Sequence, residues 1–82
     1  MGKMAVIFKV YPKEGQIDNV VKSIKEKMDP KGIQVEDIAF GLKLIKVMFV
    51  FEDAENNTSS IETKLRDING VSEVDVADET LI

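Results

Sequence analysis

Residues 38–53 read IAFGLKLIKVMFVFED, and eleven of these sixteen residues are apolar. Valine, isoleucine and phenylalanine dominate, and β-branched or aromatic side chains suit a pleated, packed surface better than a helix. Lys43 and Lys46 interrupt the stretch, so its longest unbroken apolar run is Val47 to Phe51. A membrane span needs about 18–20 consecutive apolar residues. The segment therefore reads as the central strand of a small sheet.

Alternation inside this strand assigns its faces. Ile45, Val47, Phe49 and Phe51 form one all-apolar side, expected to point into the core. Leu44, Lys46, Met48, Val50 and Glu52 form the other. This half-apolar face has two readings: a contact surface, or the scattered exposed apolar residues that any protein carries.

The chain has 82 residues, which fits one domain spanning residues 1–82 and leaves no room for a second core. It contains no cysteine, histidine or tryptophan. Disulfides and thiolate–metal sites are excluded, and the commonest general base and metal ligand is missing. The opening MGKMAVIFKV has no extended apolar segment after its early lysine, so no signal peptide is read and a cytoplasmic location is expected. Net charge is −4 with a pI near 4.7, which speaks against general nucleic-acid binding by phosphate neutralisation. That charge is unevenly spread. Residues 1–46 carry nine lysines against six acids, whereas residues 47–82 carry two basic residues against nine acids.

In chain order, Met4 to Tyr11 alternates as a first strand, ended by Pro12, and Gly15 helps the turn that follows. Asp18 is the expected N-cap of a helix whose stripe is Ile17, Val20, Val21, Ile24 and Met28, stopped by Asp29–Pro30. Ile33 to Phe40 reads as a second strand with edge character, since it carries Glu36 and Asp37. Gly41 marks a hairpin corner into the central strand. After a polar loop, Ser59 and Glu62 match a capping box, and Ile61, Leu65 and Ile68 supply a second helical stripe ended by Asn69–Gly70. Val71 to Ala77 is the last strand, with Val74 and Val76 facing in, and Asp78–Ile82 is a tail. The order β-α-β-β-α-β predicts an α+β, ferredoxin-like sandwich: a four-stranded antiparallel sheet with both helices on one face. Strands one and three belong in the middle, four and two outside.

The inventory for bond chemistry is poor. Serines and threonines have no histidine to activate them, and Ser59 is accounted for as a cap. The single arginine, Arg66, falls late in the second helix, where an interaction with the helix C-terminus is expected. Asp53, Glu55 and Asn56–Asn57 lack the spacing of a calcium loop, and no phosphate-binding glycine motif exists. No enzyme activity, cofactor, metal or bound nucleotide is expected, nor any direct contact with nucleic acid or membrane. What remains is recognition. Phe40, beside Gly41, is the one large aromatic without a place in the core alternation. It either folds back over the end of the sheet or stands out as an aromatic knob for a partner.

The VYP end of the first strand, the AFG corner, the EDAENNT loop and the closing GVSEVDVAD strand together resemble the elongation factor 1-beta family in its short archaeal form. The likeness spans nearly the whole chain and is strongest at Phe40–Gly41–Leu42–Lys43 and at Glu52–Asp53. The resemblance implies a guanine-nucleotide exchange domain. Its partner would be elongation factor 1-alpha, the GTPase that delivers aminoacyl-tRNA, from which it promotes GDP release so that GTP can reload. It also implies that Phe40, in the corner formed with Ala39, Gly41 and Lys43, inserts into the GTPase. Eukaryotic members use a lysine near the C-terminus aimed at the magnesium and phosphate site. Here the tail residues Asp78, Glu79 and Leu81 sit in a stretch with no basic residue. Asp37 stands where the family usually has proline before the corner. An alternative with the same element order is an ACT-like small-molecule sensor that dimerises through its sheet, for which the sequence offers only the Gly15 turn.

Overall fold

The computed structural model describes residues 2–52 and 58–81. Six elements follow one another: β1 (Lys3–Pro12), α1 (Ile17–Met28), β2 (Gly32–Asp37), β3 (Lys43–Glu52), α2 (Thr58–Arg66) and β4 (Val71–Leu81). The strands form one sheet in the order β2-β3-β1-β4, and every neighbouring pair is antiparallel. This is the ferredoxin-like α+β arrangement expected from the element order.

The register of the two central strands explains why the sequence adopts it. Val6 lies opposite Phe49, Phe8 opposite Val47 and Val10 opposite Ile45, and all six are buried. A one-residue slip would send Lys9 and Lys46 into the core instead, so the alternation fixes the pairing. Phe8 and Phe49 meet edge to face, with ring centroids 6.0 Å apart at 70°. Such a contact contributes about 0.5–1.5 kcal/mol beyond its area. Val20 and Ile24 of α1 and Ile61 and Leu65 of α2 close over this face, with Ile68 and Val74 completing the cluster.

Several boundaries differ from the sequence expectation. Helix α1 begins at Ile17 with Gln16 as its N-cap, so Asp18 lies inside the first turn rather than capping it. The cause is the preceding turn, closed by the Gln16 N–H bonding the Lys13 carbonyl at 2.9 Å, which delivers the chain into the helix early. Asp18 still suits the positive end of the helix dipole. Similarly, α2 starts at Thr58, and Ser59 is already helical; its carbonyl accepts the Thr63 hydroxyl at 2.9 Å. Ser59 is thus not the helix's N-cap, and Glu62 pairs with Arg66 one turn on, Oε2 to Nη2 at 2.7 Å. Arg66 then reaches out of its helix, Nη2 donating to the Val74 carbonyl of β4 at 3.1 Å, instead of closing its own helix end. Asp53, Glu55 and Asn56–Asn57, weighed as a calcium loop, lie outside the described residues.

The strand ends shift too. Strand β2 stops at Asp37, because Phe40 and Gly41 have left-handed backbones that a strand cannot contain. Its edge position and charge are as expected, with Glu36 Oε1 and Lys46 Nζ 2.8 Å apart. Strand β4 runs on to Leu81, so the expected tail is mostly strand. A register shift lets it continue: Val76 opposes Phe8 and Asp78 opposes Ile7, leaving Ala77 as an extra residue. Val74 is buried, but Val76 is 39% exposed, since this edge strand has a neighbour on one side only.

Gly70 ties the two halves together. Its carbonyl accepts the Lys13 N–H at 2.7 Å, its φ is +98°, and a Cβ there would stand 3.0 Å from Gln16 Cβ and 3.2 Å from Val20 Cγ2. Only glycine meets both the backbone angle and the space without strain. Gly70→Ala is therefore expected to destabilise the fold by about 1–3 kcal/mol. In a chain of this size each kcal/mol lowers the melting temperature by about 4–8 °C, measurable by thermal unfolding followed by circular dichroism. A melting temperature equal to that of the unmodified protein would contradict this role.

Candidate functional site

The hairpin joining β2 to β3 is where backbone and side chain both depart from ordinary folding chemistry. Asp37 pairs with Lys43, leaving residues 38–42 to reverse the chain. Leu42 is opposed by two residues: its carbonyl accepts the Ile38 N–H at 2.8 Å, and its N–H donates to the Ala39 carbonyl at 2.9 Å. The second bond closes a tight turn with Phe40 and Gly41 at its centre. Both have positive φ, +54° and +77°, as the type I′ turn of β-hairpins requires. Glycine, asparagine and aspartate normally fill those positions. A phenylalanine with left-handed backbone is unusual, and the conformation costs about 1–2 kcal/mol.

The side chain does nothing to offset that strain. Phe40 is 101% exposed, so it does not fold back over the end of the sheet. It stands clear of the fold as a knob. Ile38 and Leu42 are also exposed, at 49% and 62%, and flank it with further apolar surface. The structure thus brings Ala39, Phe40 and Gly41 together at one tip, with Lys43 exposed at the adjoining start of β3. By apolar character alone, Ile38 and Leu42 read as strand residues. Their place in IAFGL, on either side of a two-residue turn centre, is the signal that would have found them.

The other expected site residues lie elsewhere. Leu81 is opposite Met4, Glu79 opposite Val6 and Asp78 opposite Ile7, all in the half of β1 remote from the hairpin tip. From Val10, near the tip, to Met4 is about 20 Å along the strand at about 3.3 Å per residue. Asp78, Glu79 and Leu81 are exposed but are not brought together with Phe40. The far face of the sheet carries Ile7 opposite Met48 and Ala5 opposite Val50, all half-buried, whereas Leu44 on that face is buried. No helix among the described residues is long and apolar enough to cross a membrane.

Residues 5–82 match the EF-1 guanine nucleotide exchange domain. The chain belongs to this family. It is 40% identical over 85 residues to the elongation factor 1-beta of Methanospirillum hungatei JF-1, with 100% of both chains covered. It is 42% identical over 84 residues to the elongation factor 1-beta of Aeropyrum pernix, covering 93% of this chain and 92% of the other. The elongation factor 1-beta of Methanothermobacter thermautotrophicus is 38% identical over 85 residues, covering 95% and 94%. Membership in the elongation factor 1-beta family makes the chain a guanine-nucleotide exchange factor of translation elongation.

The strain at the tip has a direct consequence for stability. Phe40→Asn places Asn-Gly, the preferred type I′ pair, at the turn centre and removes an exposed ring. The variant is expected to be more stable by about 1 kcal/mol, read as a higher urea midpoint at unchanged slope. An unchanged or lower midpoint would show that Phe40 is held in place by contacts of its own.

Proposed function

We propose that this chain, as a single exchange domain spanning residues 1–82, acts on elongation factor 1-alpha in the cytoplasm. It promotes release of GDP so that GTP can reload the GTPase. It performs no bond chemistry and holds no nucleotide or cofactor of its own. Exchange of this kind is a linkage effect. A factor that binds the nucleotide-free GTPase better than the GDP-bound form weakens GDP binding by the same ratio, about 1.4 kcal/mol for each tenfold.

The observation that carries this reading is Phe40: a bulky aromatic, fully exposed, on a backbone that disfavours it, at the tip of the hairpin. Strain kept where folding does not need it points to use by a partner. An aromatic that moves from full exposure into a pocket is the kind of residue that dominates an interface. Ala39, Gly41 and Lys43 set its approach, with Gly41 supplying the second left-handed position and Lys43 a charge beside the knob. Asp78, Glu79 and Leu81 then make a second contact at the far end of the sheet. In this acidic tail region the function of the lysine used by eukaryotic members falls to other groups. An ACT-like sensing role has only the Gly15 turn in its favour, and nothing at the hairpin tip calls for it.

The test is release of a fluorescent GDP analogue from elongation factor 1-alpha, with and without this protein. Acceleration is expected. Phe40→Ala should slow it by roughly thirtyfold, the equivalent of about 2 kcal/mol for an interface hot spot, while the circular dichroism spectrum stays unchanged. Acceleration insensitive to Phe40→Ala would move the contact elsewhere. No acceleration with a matched GTPase would overturn the exchange reading.

A further inference from the structure

One cleft adjoins the aromatic knob and a second continues it, so that together they form one track. The first, about 430 Å³, separates the hairpin tip from the loop after β1; Pro12, Ile17 and Leu42 give it apolar walls and Lys13 and Lys43 stand on it. Its loop wall is held firmly, since Lys13 donates to Gly70 and accepts from Gln16. The second, about 550 Å³, runs between α1 and the edge strand β2, with Ile17, Val21 and Val35 as its apolar part. Ile17 and Lys43 line both. Val35 is opposite core residue Ile45 yet 45% exposed, where it lines the gap between α1 and β2. The fold therefore leaves an apolar seam that starts at Phe40 and continues along α1.

The seam's charges favour one kind of occupant. Lys22 and Lys25 of α1 join Lys13 and Lys43 along it, and none of the four has an ion pair among the described residues. Glu14, Asp18 and Glu26 share the same walls, so the excess is positive on a chain whose net charge is negative. We infer that this seam docks an extended segment of the GTPase that receives Phe40, a segment carrying apolar side chains interspersed with carboxylates. Continuity with the knob makes it part of the same interface. The inference rests on the exchange reading above and adds to it a contact distinct from those of the knob and of the β4 end.

Lysine-rimmed apolar seams of this kind act mainly on encounter and apparent affinity, and much less on a step that follows docking. The same GDP-release assay tests this, run as a titration of factor at low and high salt. Lys22→Glu combined with Lys25→Glu should raise the concentration needed for half-maximal release roughly tenfold at low salt, with little change at saturation. The difference should shrink at high salt. Glu26→Lys should shift the same midpoint the other way, a sign that mere loss of folding cannot produce. If the lysine variant titrates like the unmodified protein while Phe40→Ala slows release, the seam is not a docking surface and the exchange reading stands. If Glu26→Lys leaves the low-salt midpoint in place, the inference fails likewise. If the unmodified protein accelerates nothing, both fall together.

Discussion

Everything distinctive in this molecule follows from the pairing of β1 with β3. Val6, Phe8 and Val10 must meet Phe49, Val47 and Ile45, since the helices cover that face alone. Once β3 is fixed in this way, β2 lies on it with Asp37 against Lys43, which puts Ile33 and Val35 on the side of Val47 and Ile45. Only residues 38–42 are then left to reverse the chain. The turn centre falls on Phe40 and Gly41, and the left-handed backbone of Phe40 is forced by core packing about two strands away. The tip cannot relax by a one-residue slide, because that slip would invert every side chain of β2 or β3.

Gly70 and Phe40 show two answers to the same demand for a positive φ. At Gly70 the chain has a residue without a Cβ, packed against Gln16 and Val20 and bonded to Lys13. Folding requirements account for it in full. At Phe40 the demand is equal but the residue is the wrong one for stability, and no neighbour encloses its ring. Local rules that conflict with the rest of a consistent sequence tend to mark function. The conflict at Phe40 is sharper because residue 41, its turn companion, is the glycine that the rules ask for.

Legibility in the sequence tracks how strongly each feature constrains side-chain pattern. The faces of β1 and β3 were readable because a buried face tolerates only apolar residues, as Val47 and Phe49 show. The sheet order followed from crossover handedness once the elements were counted. Helix starts were misplaced because several polar residues could cap, and the choice was made by a backbone bond from Gln16 to Lys13 that leaves no trace in composition. Strand β4 was cut short at Ala77 because an edge strand exposed on both faces reads as an acidic tail. At the site, Phe40 was visible as an aromatic without a core position and Gly41 as a turn residue. The backbone angle of Phe40, the exposure of Ile38 and Leu42, and the distance to Asp78, Glu79 and Leu81 depend on register and strand direction, which only the folded chain supplies.

The fold also turns the linear charge asymmetry into a spatial one. Lys22 and Lys25 of α1 lie on the β2 side, as the cleft they share with Val35 and Lys43 shows, whereas Lys27 lines clefts toward α2. Of the second half's acids, Glu62 belongs to α2 and Glu73, Asp75, Asp78 and Glu79 to the opposite edge strand, where Arg66 joins helix to strand at Val74. A partner approaching the tip therefore meets a positive flank, while Glu73, Asp75 and Asp78 are carried on the far edge. For an exchange factor the division has a physical use. Charge on a flank steers and orients the encounter, but it helps the GDP-bound and nucleotide-free GTPase alike. Binding that is equal in both states cannot shift the nucleotide equilibrium. Discrimination has to come from a contact that one state offers and the other does not, and an uncovered aromatic fits or fails to fit a pocket in a way that diffuse charge cannot. The turn sets the backbone that carries this aromatic, and so where the ring is presented, before the partner arrives.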